Sequence, residues 1–307
     1  MITHKLMGGL CNTLFQIFAT IALAIRTDQE FKFMYKTRID SKRIAYWDTF
    51  LVGLRDEYTT TSIDVDNINI HHINEPSHMY NPIQLPSGSN QDLYILNGYY
   101  QSPKYFEKEF EQISMMIGIE FMQESLKNEI VYVDDMSKLV IKKKDMNIYF
   151  PKKIQWKNTI SMHFRLGDYK ALPDYHPTMP YEYYRNCIAE ILQMGVIEDT
   201  PQILYFCEDD EEDIKIVEGI INKLNQDFSF CEFYKISNPK ISDWKQLLLM
   251  SLCSHNIIAN STFSWWSAYM NKNSTKIVTY PNVWFGHMIP QDVSDLFPHD
   301  WIKIGIQ

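Results

Sequence analysis

From residue 159 onward, short apolar runs alternate with stretches of helical spacing, and few folds accommodate that alternation. Strands are predicted at 159–164, 202–207, 230–234, 256–259 and 277–280. Helices are predicted between them. One covers 181–194, with Pro180 just before it. A second covers 210–225, where Ile214, Val217, Ile221 and Leu224 form one stripe. A third runs from a Ser242 cap through Leu252, and a fourth covers 262–270. Strands joined in this way run parallel, and parallel sheets hold ligands at the carboxyl ends of their strands.

The first half opens similarly. Residues 4–7 form an apolar run, Gly8-Gly9 a tight turn, and Asn12 or Thr13 a cap. A helix over 14–26, apolar nearly all round, reads as buried, and 31–36 reads as the next strand. Residues 55–92 read as irregular. A strand is predicted at 93–99 and a helix near 103–115. The Lys- and Pro-bearing stretch 136–158 reads as the boundary between halves. The expected architecture is α/β: two Rossmann-like halves, 1–150 and 151–307, with a cleft between them.

A chain of 307 residues can bury a sizeable core without staples. Its 45% hydrophobic and 22% charged residues exclude global disorder and a long coiled coil. The net charge of −9 argues against a general binder of nucleic acid or anionic membrane. Any anionic ligand must then be held by a local device. Cys11, Cys187, Cys207, Cys231 and Cys253 are odd in number and scattered, which argues against a disulfide framework or a zinc site. Buried thiols in a reducing compartment are expected. The apolar stretch 14–25 is about a dozen residues long and contains Gln16 and Thr20, too short to span a bilayer. With no signal peptide visible, a cytoplasmic location is expected.

Four segments carry the chemistry. His163-Phe164-Arg165-Leu166-Gly167-Asp168-Tyr169 ends a buried strand, where an arginine can fork two hydrogen bonds to a phosphate. A strand ending in an Arg–Asp turn is the plainer alternative. Asn260-Ser261-Thr262-Phe263-Ser264-Trp265-Trp266 opens a helix, and free N–H groups there suit an anion, although ordinary capping would use the same residues. Gly8-Gly9-Leu10-Cys11-Asn12 is a weak dinucleotide loop, lacking the third glycine. The acidic run Glu208 to Asp213 reads first as a helix start, with one carboxylate left to read a guanine or a ribose. Asp64-Val65-Asp66 has the spacing of a metal-binding DxD motif but lies in the poorly patterned stretch.

Together these segments resemble glycosyltransferase family eleven, the α-1,2-fucosyltransferases, within the GT-B fucosyltransferases. The family's opening loop appears as Gly8-Gly-Leu-Cys-Asn-Thr-Leu-Phe-Gln16. Gly98-Tyr-Tyr-Gln-Ser102, His163 to Tyr169, and Phe206-Cys-Glu-Asp-Asp210 follow in the family's order. Asn260 to Tyr269 matches the family's Asn-Ser-Thr-Phe-Ser-Trp-Trp-x-Ala-Tyr without a gap.

The resemblance implies inverting, metal-independent transfer of L-fucose from GDP-β-L-fucose to a glycan hydroxyl, with terminal galactose as the expected acceptor. GDP-fucose and the acceptor glycan are the implied partners, with the acceptor side expected in 1–150 and GDP-fucose binding in 151–307; no cofactor, nucleic acid or membrane span is implied. It assigns the diphosphate to Arg165, the nucleotide to His163, and the distal phosphate to the helix start at Ser261, Thr262, Phe263 and Ser264. Asp209 is matched to the guanine- or ribose-reading carboxylate, and Gly9 and Asn12 to a loop closing over the sugar phosphate. The last helix is expected to pack back on the first half. Two departures stand out. Leu166 replaces the family's second arginine, and Cys11 and Thr13 replace a glycine and a glutamine, with strain expected at Cys11 if that position needs positive φ. Transfer with another linkage or another GDP-sugar, and a non-catalytic glycan- or nucleotide-binding relative, are the open alternatives.

Overall fold

A computed structural model describes residues 1–66, 68–86, 92–136, 147–236 and 241–306. The chain folds as two compact units, one of Met1–Phe121 with Gln291–His299, the other of Met122–Pro290 with Asp300–Gln307. The division thus falls at Phe121/Met122, where the sequence pattern suggests 150/151. Side chains after the break pair within the second unit: Gln123 Nε2 donates to Ser251 Oγ at 2.7 Å, and Lys245 pairs with Glu129. Part of the expected boundary stretch, residues 137–146, lies outside the described residues. The segment Gln291–His299 joins the first unit as irregular chain and not as a helix. Its Asp295 accepts from Ser102 Oγ (2.6 Å, at the backbone carbonyl) and from the Tyr80 amide (2.9 Å), and pairs with Lys104.

The first unit contains β1 (Ile2–His4), α1 (Leu10–Thr27), β2 (Phe33–Met34), α2 (Val52–Tyr58), β3 (Thr59–Thr60), β4 (Ile70–Asn74), β5 (Leu93–Asn97) and α3 (Phe110–Ile117). α4 (Ile119–Lys127) crosses into the second unit. β1, β5 and β4 form a parallel sheet in that order. A parallel bridge from Ile2 to Phe31 extends it toward the parallel pair β2–β3. β4 is unreadable in sequence because its Ile-His-His-Ile-Asn alternates only between exposed and half-buried. Pairing with β5 along all five residues forms it.

α1 begins four residues earlier than predicted. Gly9 caps it without a side-chain bond, after Gly8 turns the chain at φ +84°. Asn12 and Thr13 therefore lie inside the helix; the Thr13 hydroxyl bonds back to the Gly9 and Leu10 carbonyls. Gln16 clips the preceding loop, accepting from the Met7 amide and donating to the Met7 carbonyl, each at 2.9 Å. Cys11 is helical and unstrained: among the described residues only Asp28 and Tyr100 carry positive φ without being glycine. At 18 residues α1 is long and apolar enough to cross a membrane, contrary to the length argument above; here it is a mostly buried core helix.

The second unit contains β6 (Ile130–Val133) and β7 (Ile148–Pro151), a parallel pair. After them come β8 (Thr159–His163), α5 (Tyr181–Gln193), β9 (Gln202–Phe206), α6 (Glu211–Asp227), β10 (Glu232–Lys235), α7 (Asp243–Ser251), β11 (His255–Ile257), α8 (Thr262–Tyr269), β12 (Val278–Pro281) and β13 (Ile302–Ile304). Every predicted strand and helix of this half is present. β6, β7 and β13 are additions, β13 being an Ile-Lys-Ile triplet too short to show a period.

The six main strands run parallel in the order β10-β9-β8-β11-β12-β13. The chain winds outward one way from β8 and then the other way from β11. The switch point lies between those two strands, where doubly wound sheets leave a crevice at their carboxyl ends. All residues of β8, β9 and β11 are buried, as a sheet covered on both faces requires.

Candidate functional site

The two sharpest sequence motifs meet at this switch point. β8 runs into His163-Phe164-Arg165, and its neighbour β11 runs into Asn260 and α8. Two buried groups join them: His163 Nδ1 and Ser264 Oγ lie 3.0 Å apart. α5 braces the strand, the Tyr184 hydroxyl donating to the His163 carbonyl at 3.2 Å.

Arg165 sits just past the strand end with its side chain 26% exposed. Its guanidinium pairs with Glu208 on one side and Asp168 on the other. It lies over the Tyr169 ring at 4.5 Å, a cation–π contact. Tyr169 in turn stacks on His176 at 4.6 Å, and its hydroxyl donates to the Asn260 carbonyl at 3.3 Å. The guanidinium is thus held against a ring that is itself tied to the start of α8.

Gly167 makes the tight loop workable. Its φ is +39°, and a Cβ there would come within 3.1 Å of Arg165 Nη1 and 3.2 Å of Glu208 Oε1. Its amide donates to Asp213 Oδ2 at 3.0 Å. Leu166 is buried in the hydrophobic core, so at this position a core contact stands where the family pattern has a charge.

Glu208 is the residue that sequence reasoning misses, because it sits in a run that reads as a helix start. The run does contain a cap: Asp210 accepts from the Glu212 and Asp213 amides at the start of α6. Glu208 lies before that cap. In the β8–β9 register His163 faces Phe206, so Arg165 and Glu208, each two residues further on, face one another. The missing signal is register, which one strand alone does not reveal. Asp209, the sequence candidate, is exposed and contacts none of these groups; partial burial raises its pKa, opposed by attraction to Lys235.

At the start of α8, Ser261 caps the helix, its Oγ accepting from the Phe263 amide at 3.3 Å. Phe263 packs near the His163 ring at 5.5 Å, and Thr262 and Phe263 are half-buried. The Asn260 amide donates to the Pro177 and Trp284 carbonyls at 2.8 and 3.1 Å. Gly9 and Asn12 belong to the first unit. Gly9 has open space where a Cβ would go, and Asn12 Oδ1 accepts from Gln101 Nε2 at 3.1 Å. Among the described residues no group of three or more His, Cys, Asp or Glu side chains could hold a metal ion.

Burial pushes the His163 imidazole down to about 3, with Arg165 adding repulsion, and burial takes His4 to about 4. Both are therefore neutral in the fold at ordinary pH. An unfolded histidine titrates near 6.5, so between that value and the folded value the unfolded chain binds more protons. Stability is full above about pH 6.5 and falls as pH falls, by about 1.4 kcal/mol per pH unit for each such histidine. Thermal melts should show a lower midpoint at pH 5 than at pH 7, and a shallower decline in His163→Gln. Equal midpoints at the two pH values would contradict the assignment.

A guanidinium and the amino end of a helix thus meet at a doubly wound switch point, and the N–H donors of both are of the kind that suit an anion. The chain belongs to glycosyl transferase family 11, whose model matches residues 94–305, and is thus a glycosyltransferase. An O-antigen biosynthesis glycosyltransferase, WbnK, of Escherichia coli is 32% identical over 165 residues, covering 52% of this chain and about half (49%) of that relative. An α-1,2-colitosyltransferase of Escherichia coli is 24% identical over 311 residues, covering 99% of this chain and 98% of that relative. Among solved structures, POFUT1 in complex with GDP aligns with a TM-score of 0.48 at 11% identity, over 91% of this chain and 97% of that one. A point mutant of Arabidopsis thaliana FUT1 in complex with GDP gives 0.45 at 9% identity, over 91% and 70%.

Proposed function

We propose that this glycosyltransferase moves L-fucose from GDP-β-L-fucose to a hydroxyl of a glycan, with inversion, forming an α-1,2 linkage to galactose. The observation that carries the reading is the convergence of Arg165 and the α8 amino end at the β8–β11 switch point. Departure of GDP leaves negative charge on the diphosphate while oxocarbenium character grows on the sugar. A fixed guanidinium and helix N–H groups stabilise that charge without reorganising. In the free protein Glu208 and Asp168 occupy the guanidinium, so the incoming diphosphate takes their place on its donors. His163, buried and bonded to Ser264, acts on the nucleotide by holding the strand end against α8.

The experiment is to incubate the protein with GDP-fucose and a panel of galactosides, follow GDP release, and determine the product linkage by NMR. A product of other linkage would correct the regiochemistry; no GDP release with any acceptor would refute the reading. Transfer is expected to continue in excess EDTA, since the charge is met by Arg165 and α8. Activity lost to EDTA and restored by Mg²⁺ or Mn²⁺ would show that a metal takes part. The end-to-end match to a colitosyltransferase supports a second donor, GDP-colitose, the 3-deoxy counterpart of GDP-fucose. Competition between the two donors decides which sugar is preferred.

A further inference from the structure

The first unit has a switch point of its own. Its strands run β3-β2-β1-β5-β4, with β2 joined to β1 by the Ile2–Phe31 bridge, so the winding reverses between β1 and β5. Two segments emerge at the carboxyl ends there: the Gly8–Asn12 loop after β1 and Gly98–Gln101 after β5. Gln101 and Asn12 join across the gap at 3.1 Å.

The segment after β5 is built at a cost. Tyr100 has φ +51°, one of two such non-glycine residues among those described. It is held there by a buried ring set edge-on to His4 and Tyr105, and by its hydroxyl on the Ile73 carbonyl at 3.1 Å. Glu75, following β4, accepts from the Tyr99 and Tyr100 amides at 2.6 and 2.8 Å. It reaches them only because residue 98 is glycine; a Cβ there would come 2.3 Å from Glu75 Cβ. Desolvation raises the Glu75 carboxyl above its usual range, and the two amides oppose that rise. Each carboxylate oxygen still has a second acceptor site.

One residue back along the paired strands, where side chains face the other side of the sheet, Asn97 Nδ2 donates to Asn74 Oδ1 at 2.9 Å. Tyr99 is half-buried, and its hydroxyl has no hydrogen-bond partner among the described residues. A carboxylate with free acceptor sites and an aromatic ring at a strand end are groups that pair with the hydroxyls of a sugar and cover its apolar face.

We propose that Glu75 and Tyr99 form the subsite that binds the acceptor sugar, with Glu75 accepting from a ring hydroxyl and Tyr99 covering a pyranose face. This rests on the glycosyl-transfer reading above. The test is steady-state kinetics on Glu75→Gln, Tyr99→Ala and Tyr99→Phe, with GDP-fucose as donor and methyl β-D-galactopyranoside, lactose and N-acetyllactosamine as acceptors. GDP affinity by calorimetry and the thermal midpoint serve as controls. Glu75→Gln and Tyr99→Ala are expected to raise the acceptor KM about tenfold or more. Donor KM and GDP affinity should stay within about twofold, and Tyr99→Phe should restore most of the loss. A residue that only held the turn would not separate the two KM values. If the parent enzyme transfers to these acceptors and both variants keep its acceptor KM, the subsite is overturned while the transferase reading stands. If the parent releases no GDP with any acceptor, the transferase reading falls and this inference falls with it.

Discussion

Arg165→Ala is expected to lower kcat/KM by about 10²–10³-fold or more, the loss typical of removing one preorganised donor to a developing anion. The fold should survive. The Arg165 side chain is 26% exposed and its partners Glu208 and Asp168 are 29% and 68% exposed, so water can reach the carboxylates it leaves behind. Arg165→Lys should fall between parent and alanine variant, because a lysine keeps the charge but loses the planar fork and its fit on the Tyr169 ring. Kinetics and a circular dichroism melt on the same preparations decide the matter. Turnover within a few-fold of the parent in a folded alanine variant would remove Arg165 from the chemistry.

Trp265→Ala should have the largest effect on stability, about 3–5 kcal/mol. The side chain is fully buried, stacked on Tyr269 at 4.7 Å and packed near Trp266 and Trp301 at 5.2 and 5.5 Å. It lies on the buried side of α8, so its loss leaves a cavity beneath the helix that Ser261 caps. At about 2–4 °C per kcal/mol, the melting midpoint should drop by roughly 10 °C. Phe121, 77% exposed, gives the contrast: its replacement by alanine should change stability by no more than about 0.5 kcal/mol. A Trp265→Ala midpoint within a degree or two of the parent would mean that the ring does not support α8.

The second unit is legible in the sequence because its strands are buried on both faces and its helices carry clear stripes. β9 reads as a nearly continuous apolar and aromatic run, and α6 shows its stripe and its Asp210 cap in the sequence itself. The first unit is legible chiefly in α1 and β5, and in part at β2 and α3, which the strand predicted at 31–36 and the helix predicted near 103–115 overlap. β4 gives no signal because it lies at the sheet edge and half faces water, and seven-residue α2 buries only Leu54. In the site, Arg165 and the α8 start announce themselves as local patterns. Glu208 does not, because its partner lies 43 residues away and only the parallel register brings the two together. Tyr169 and Tyr184 are hidden for the same reason: a tyrosine's role depends on what its hydroxyl reaches, here the Asn260 and His163 carbonyls.

The bond between His163 and Ser264 joins positions 101 residues apart, with α5, β9, α6, β10, α7 and β11 threaded between them. A refolding chain therefore forms this pair late, after both arms of the sheet have docked, since contacts of such long loop length form slowly. The nucleotide binding proposed above is then expected only in fully assembled molecules, its regain lagging the regain of helix signal.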